Sequence, residues 1–85
     1  MILLALYDIS NDAERTRISE LCLDFGLERI QYSVFLGELD RKLHKLFLKN
    51  LNEKLPQEKF NIRVFEINKT VGRRLVFEAS IDRDA

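Results

Sequence analysis

The first eight residues, MILLALYD, are apolar almost without a break and close on an acid, Asp8. A short continuous apolar run that ends at a turn signal predicts a buried central strand over residues 2–8. The pattern then changes period. Ser10, Asn11 and Asp12 offer cap oxygens, and Asn11 with Glu14 has capping-box spacing. Ile18, Leu21, Cys22 and Phe25 recur at i, i+3, i+4 and i+7, which predicts a helix from about Asp12 to Phe25 with one stripe against a sheet. Gly26 stands where a helix-terminating glycine belongs. From 28 to 36 the chain alternates: Ile30, Tyr32, Val34 and Leu36 on one face, Arg29, Gln31, Ser33 and Phe35 on the other. Gly37 ends that strand. Asp40 can cap a second helix reaching about Leu55, in which Leu43, Phe47, Leu51 and Leu55 step by four, and Pro56 stops it. FNIRVFEI (60–67) and RRLVFEAS (73–80) read as two further strands around a turn at 68–72.

Read literally, the order is β-α-β followed by α-β-β. A ferredoxin-like order, βαββαβ, needs a further strand between the elements or a central pair made by 28–36 beside 60–67. The predicted fold class is α+β: an antiparallel sheet with two helices on one face. The other sheet face is then bare and apolar, with Phe35 on it, and an uncovered face of that kind implies a partner. The expected organisation is a single domain over 1–80 and a flexible tail over 81–85. The final strand, with Leu75 and Phe77 on one face and Val76 and Glu78 on the other, is expected to complete a sheet across a dimer, with Gly72 supplying the bend.

At 85 residues the chain makes one domain with a thin core, so homodimerisation is a natural way to add buried area. Fourteen basic and fourteen acidic residues cancel, so any nucleic-acid site must be local rather than global. The single cysteine, Cys22, excludes an intrachain disulfide and a cysteine zinc site. The apolar N-terminus lacks a basic leader and is far shorter than the ~20 residues of a membrane helix, so a soluble, cytoplasmic protein without membrane contact is expected.

Candidate chemistry gathers around Asp8. An acid at a strand end beside arginines at a helix start suits a metal ion and a phosphate, and so nucleic-acid chemistry or binding. The alternative is an aspartate that caps the first helix. Arg15 and Arg17 sit on or near the first helical turn but point about 200° apart, so they do not share a face. At least one is expected to reach phosphate, against surface pairing with Asp12, Glu14 or Glu20. Arg29 lies on the polar strand face that could line a dimer cleft. Ser33 has no histidine to activate it, since His44 falls on the second helix and reads as a solvated residue. Arg41, Lys42, Lys45 and Lys49 form the most basic stretch, a solvated helix face or else a track for a DNA backbone.

LYDISNDAERTRI and GLERIQYSVFLGEL resemble the two signature segments of the small CRISPR-associated Cas2 proteins. That pattern is an apolar strand ending in an acid, a polar turn with two arginines one residue apart, and a glycine-led strand close to R-V-Q-Y-S-V-F-x-G. Here Ile30 replaces the usual valine, and the match loosens after residue 60. The resemblance implies a ferredoxin-like homodimer with facing sheets, working in spacer acquisition beside the integrase Cas1 and holding DNA. It also implies metal-dependent nuclease activity on DNA or RNA, with Asp8 as the catalytic and metal-binding residue and Arg15, Arg17 and Arg29 on nucleic acid. One carboxylate per chain is a poor site, but near a twofold axis two Asp8 side chains could share one magnesium or manganese ion. Other readings are a non-catalytic architectural subunit, a toxin-like ribonuclease on the same fold, and a ligand-binding regulatory module. The last leaves the Asp8 and arginine cluster unexplained.

Overall fold

A computed structural model describes residues 1–82. Its elements are β1 (Ile2–Ile9), α1 (Asp12–Asp24), β2 (Glu28–Gln31), β3 (Val34–Glu38), α2 (Arg41–Glu53), β4 (Phe60–Asn68) and β5 (Gly72–Ile81). All five strands form one antiparallel sheet in the order β2-β3-β1-β4-β5. This is the expected α+β, ferredoxin-like architecture, completed by a strand that the alternation concealed.

Residues 28–36 are not one strand. Tyr32 and Ser33 turn the chain, and β2 and β3 form a hairpin with Glu28 opposite Leu36, Arg29 opposite Phe35 and Gln31 opposite Val34. A bulge between Arg29 and Gln31 makes Ile30 the extra residue, so the alternation breaks there. Paired residues share a face, so Gln31 lies with Val34, and Arg29 lies with Phe35 on the opposite side. The Ser33 carbonyl accepts from the Tyr7 N–H at 3.1 Å, tying the turn to the end of β1.

The core lies on one side of the sheet. Leu3, Ala5, Tyr7 and Ile9 of β1, Phe35 of β3, and Phe60, Ile62 and Val64 of β4 are all buried. They form one cluster with Ile18, Leu21 and Cys22 of α1 and Phe47 and Leu51 of α2, which places both helices on that face. Phe35, expected on the bare face, is 0% exposed in this core. β1 is correspondingly not buried on both sides. Leu4 and Leu6 are half-buried and Asp8 is exposed, because within this chain no second layer covers them. Val34 and Leu36 flank them from β3, and Phe65 from β4, to make an open apolar face.

Both helices start on caps that were legible: the Asn11 Oδ1 accepts from the Glu14 N–H at 2.9 Å, and the Asp40 Oδ1 from the Leu43 N–H at 2.8 Å. α1 ends before Gly26, whose φ of 87° is the left-handed conformation a glycine tolerates. In α2 the buried stripe is His44, Phe47 and Leu51, while Leu43 is 41% exposed. His44 is therefore not solvated. Its ring Nδ1 lies against the Met1 thioether, which the start of β1 brings over α2.

β5 runs beside β4 of its own chain, from Asn68 opposite Gly72 to Phe60 opposite Ile81. The turn sets this pairing: the Asn68 Oδ1 accepts from the Thr70 and Val71 N–H groups at 3.0 and 2.8 Å, and Gly72 has a φ of 78°. That folds the chain straight back within three residues. A bulge at Val64/Phe65 lets Val76 and Phe77 both pack against the core, whereas Leu75 is exposed, so the strict alternation expected here also fails. Of the expected tail, Ile81 still belongs to β5, and 83–85 lie outside the described residues. Among the described residues, no helix is long and apolar enough to cross a membrane.

Candidate nucleic-acid interface

Asp8 stands at the end of β1 on the open face, opposite Asn61 of β4. Strand alternation sends it there because Tyr7 and Ile9 point into the core. It borders two clefts. One, of about 630 Å³, is lined also by Leu4, Leu6, Arg63, Phe65 and Arg73; the other, of about 350 Å³, by Ser10, Lys59, Asn61 and Asp82. Asp8 does not cap α1, since Asn11 does. Among the described residues its carboxylate makes no ion pair, whereas Arg63 is held by Glu78 at 3.0 Å. The guanidinium of Arg73 lies 5.5 Å from the Phe65 ring centroid. The loop that carries Lys59 is pinned to the start of α1. Ser10 donates to the Lys59 carbonyl through its N–H at 3.3 Å and its hydroxyl at 3.0 Å, and the Gln57 N–H donates to Glu14 Oε2 at 3.0 Å.

Magnesium takes hard oxygens and commonly one or two carboxylates plus water. Among the described residues no three His, Cys, Asp or Glu side chains converge to hold a metal ion. Asp8 has the right donor chemistry and is free to use it, but one chain supplies a single carboxylate at the open face. The residues fit such an ion only where a second copy adds its own Asp8.

The arginines part company. Arg15 donates from Nη1 to the Ile9 carbonyl at 3.0 Å and from Nη2 to Asp12, and lies 5.7 Å from the Tyr32 ring centroid. The Asp12 hydrogen bond raises its pKa further above the ordinary value. Arg29 lies 5.1 Å from the centroid of the Phe35 ring. Arg15 and Arg29 meet at a cleft of about 160 Å³ lined by Tyr7, Thr16, Ser19 and Tyr32. Burial pushes the Tyr7 phenol pKa up, and the nearby Arg29 charge works against that. Arg17 points elsewhere, to Glu14 at 3.8 Å and the Lys54 carbonyl at 3.5 Å, in a groove between α1 and α2.

Arg29 thus sits on the helix side of the sheet and not on the face that Asp8 occupies. Of the four sequence-named residues, only Arg15 and Arg29 are brought together. Tyr32 and Ser19 were missed. The alternation over 28–36 hides the turn at Tyr32, because a Tyr-Ser pair carries no glycine, asparagine or proline to announce it.

At the other end of the sheet, Arg41, Lys45 and Arg74 line a cleft of about 560 Å³ with Met1 and His44. Arg74 pairs with Glu66 at 2.7 Å, and that hydrogen bond lowers the Glu66 pKa. Burial lowers that of His44. Burial also pushes the Cys22 thiol up to about 12, so it is inert as a nucleophile at neutral pH.

A family model described as CRISPR associated protein Cas2 matches residues 1–74. A Chloroflexus aurantiacus protein named CRISPR-associated endoribonuclease Cas2 2 is 36% identical over 80 residues, covering 93% of this chain and 94% of its own. A Pyrobaculum aerophilum protein of the same name is 30% identical over 69 residues, 81% of this chain and 76% of its own. The crystal structure of Streptococcus pyogenes Cas2 superposes with a TM-score of 0.69 at 23% identity, over 82% of this chain and 89% of that one, which supports the fold. A hypothetical protein from Thermus thermophilus does so with a TM-score of 0.66 at 25% identity, over 88% of this chain and 96% of its own.

Proposed function

Because this chain belongs to the Cas2 family, we propose that it serves CRISPR adaptation as a nucleic-acid-binding homodimer whose open sheet faces meet and whose two Asp8 carboxylates act on phosphodiester bonds. The observation that carries this reading is the position of Asp8: a carboxylate that makes no ion pair among the described residues, at the rim of an apolar sheet face that none of them covers. Joining two such faces would bury Leu4, Leu6, Val34, Leu36 and Phe65 and would set the two acids near one another. Magnesium or manganese held between them would polarise a phosphoryl oxygen and lower the pKa of a water. The chain's own part is to place the acids on a rigid strand end, to screen them from bulk water with the apolar faces, and to hold the nucleic-acid backbone with Arg29 and with the donors that Arg15 and Arg17 do not spend on Asp12, Ile9, Glu14 and Lys54. The relatives are named endoribonucleases, and cleavage of RNA is the activity we extend to this chain, with DNA as the substrate it holds beside the integrase Cas1.

The test is cleavage of labelled RNA and DNA by the purified protein with magnesium, with manganese and with EDTA, alongside Asp8→Asn. The variant is expected to sediment as a dimer and to bind nucleic acid while cleaving nothing. Wild-type protein that binds but cleaves no substrate under any metal would leave the architectural role and remove the catalytic one. Cleavage by Asp8→Asn at the wild-type rate would place the chemistry elsewhere.

A further inference from the structure

We propose that the cleft between α1 and the β2–β3 turn holds one unpaired nucleotide, with its base stacked on Tyr32 and its phosphate on Arg29. Tyr32 sits at the turn and is 68% exposed, an aromatic ring that Arg15 approaches from one side and that is otherwise largely open to solvent. Arg15 holds that ring in place from 5.7 Å, and is itself anchored by the Ile9 carbonyl and Asp12. Most of the Arg15 fork is therefore committed within the chain. Arg29 is not. It rests on the Phe35 ring and reaches the Tyr7 hydroxyl, but makes no ion pair among the described residues, so its positive charge and remaining donors are left for an anion. Ser19 adds a hydroxyl to the wall, although its own proton goes to the Thr16 carbonyl at 2.9 Å.

Size decides the ligand class. At about 160 Å³ the cleft falls well below the ~300–1,000 Å³ of pockets that enclose a whole small molecule. It suits one planar group belonging to a longer chain. A cation beside an exposed aromatic ring is the arrangement that holds single strands, because every base has a face to stack and every nucleotide a phosphate. In a duplex the base faces are already stacked on one another, so Tyr32 has nothing to meet, while Arg29 still meets phosphate. The cleft should therefore discriminate unpaired from paired nucleic acid through Tyr32 alone.

This inference rests on the nucleic-acid reading of the preceding section but not on catalysis. It is tested in EDTA, where a protein that never cleaves anything gives the same reading. A single-stranded oligonucleotide carrying 2-aminopurine, in DNA and RNA versions, and the matching duplex are titrated with the dimer. Tyr32→Leu is expected to weaken single-strand binding by about 5- to 150-fold and to leave the duplex within about twofold. Tyr32→Phe should keep both affinities and the quenching of 2-aminopurine that marks stacking. Arg29→Ala should weaken single strand and duplex together. The DNA and RNA arms show which sugar the cleft prefers, the Tyr32 effect being expected on at least one of them. A Tyr32→Leu protein that binds both single strands as tightly as wild type, or that loses single strand and duplex equally, overturns the proposal.

Discussion

Truncating Phe35 to alanine should remove about 3–5 kcal/mol of folding stability. The ring is 0% exposed, stacks on Tyr7 with centroids 6.1 Å apart, and lies 5.1 Å from the Arg29 guanidinium. Its backbone is fixed from both flanks, opposite Ala5 of β1 and Arg29 of β2, so the sheet cannot close over the hole. At roughly 0.05–0.15 kcal/mol per residue, a domain of this length holds only about 4–13 kcal/mol in all. The alanine variant should accordingly be close to unfolded or markedly weakened. Phe35→Leu keeps most of the volume and loses the aromatic pairing. A near volume-conserving swap costs under ~1.5 kcal/mol and the ring pair ~0.5–1.5 kcal/mol, so about 2 kcal/mol is expected. Urea unfolding followed by circular dichroism measures both, at one fixed protein concentration because association between copies would add a concentration-dependent term. An alanine variant within about 0.5 kcal/mol of wild type, with its dimer affinity lost instead, would put Phe35 on the open face and refute this packing.

Cys22, with its pKa pushed up to about 12, should resist a thiol reagent at pH 8 in the native protein and react once urea unfolds it; rapid native labelling would contradict its burial. Burial holds the His44 pKa below its ordinary 6.5, so the unfolded chain takes the proton more readily. Stability should therefore fall as pH drops through about 6.5, and His44→Gln should flatten that slope. The Glu66 pKa, lowered from 4.5 by Arg74, acts only further down, where its contribution is lost as pH falls through the depressed value. A slope between pH 7 and 5 that survives in His44→Gln would locate the proton elsewhere. Arg29→Ala should reduce the salt slope of DNA binding by about one unit for the phosphate contact it loses; an unchanged slope would remove Arg29 from the backbone.

What could be read in advance followed from local physics. The Asn11 cap, the Gly26 stop, the α1 stripe and the burial of Cys22 each rest on residues within one or two turns of each other. What could not be read depended on parity or on tertiary neighbours. One bulge at Ile30 and a turn made of Tyr32 and Ser33 turned an apparent strand into a hairpin and moved Gln31 to the face of Val34, while the face that Arg29 and Phe35 share became the core side because both helices pack there. His44 looked solvated because the Met1 thioether that covers it lies 43 residues away. β5 lies along β4 of its own chain through a turn in which Asn68 bonds two N–H groups, a side-chain contact that alternation cannot reveal.

The end of β1 is where these facts converge. Tyr7 and Asp8 are consecutive, so the pleat sends them to opposite faces. The buried Tyr7 ring joins the core and the cleft of Arg15, Arg29 and Tyr32, while the exposed Asp8 stands over both open-face clefts. One strand terminus therefore serves two surfaces, and a nucleic-acid strand passing around the β2–β3 turn would meet both. The arrangement holds only in one register. A slip of one residue would carry Asp8 into the core and Tyr7 to the open face. Two neighbours prevent it: β3 pairs with β1 from Ile2 to Leu6, and β4 along its whole length to Ile9 opposite Phe60. The central place of β1 in the sheet is thus the structural condition for placing an acid and a cationic cleft back to back.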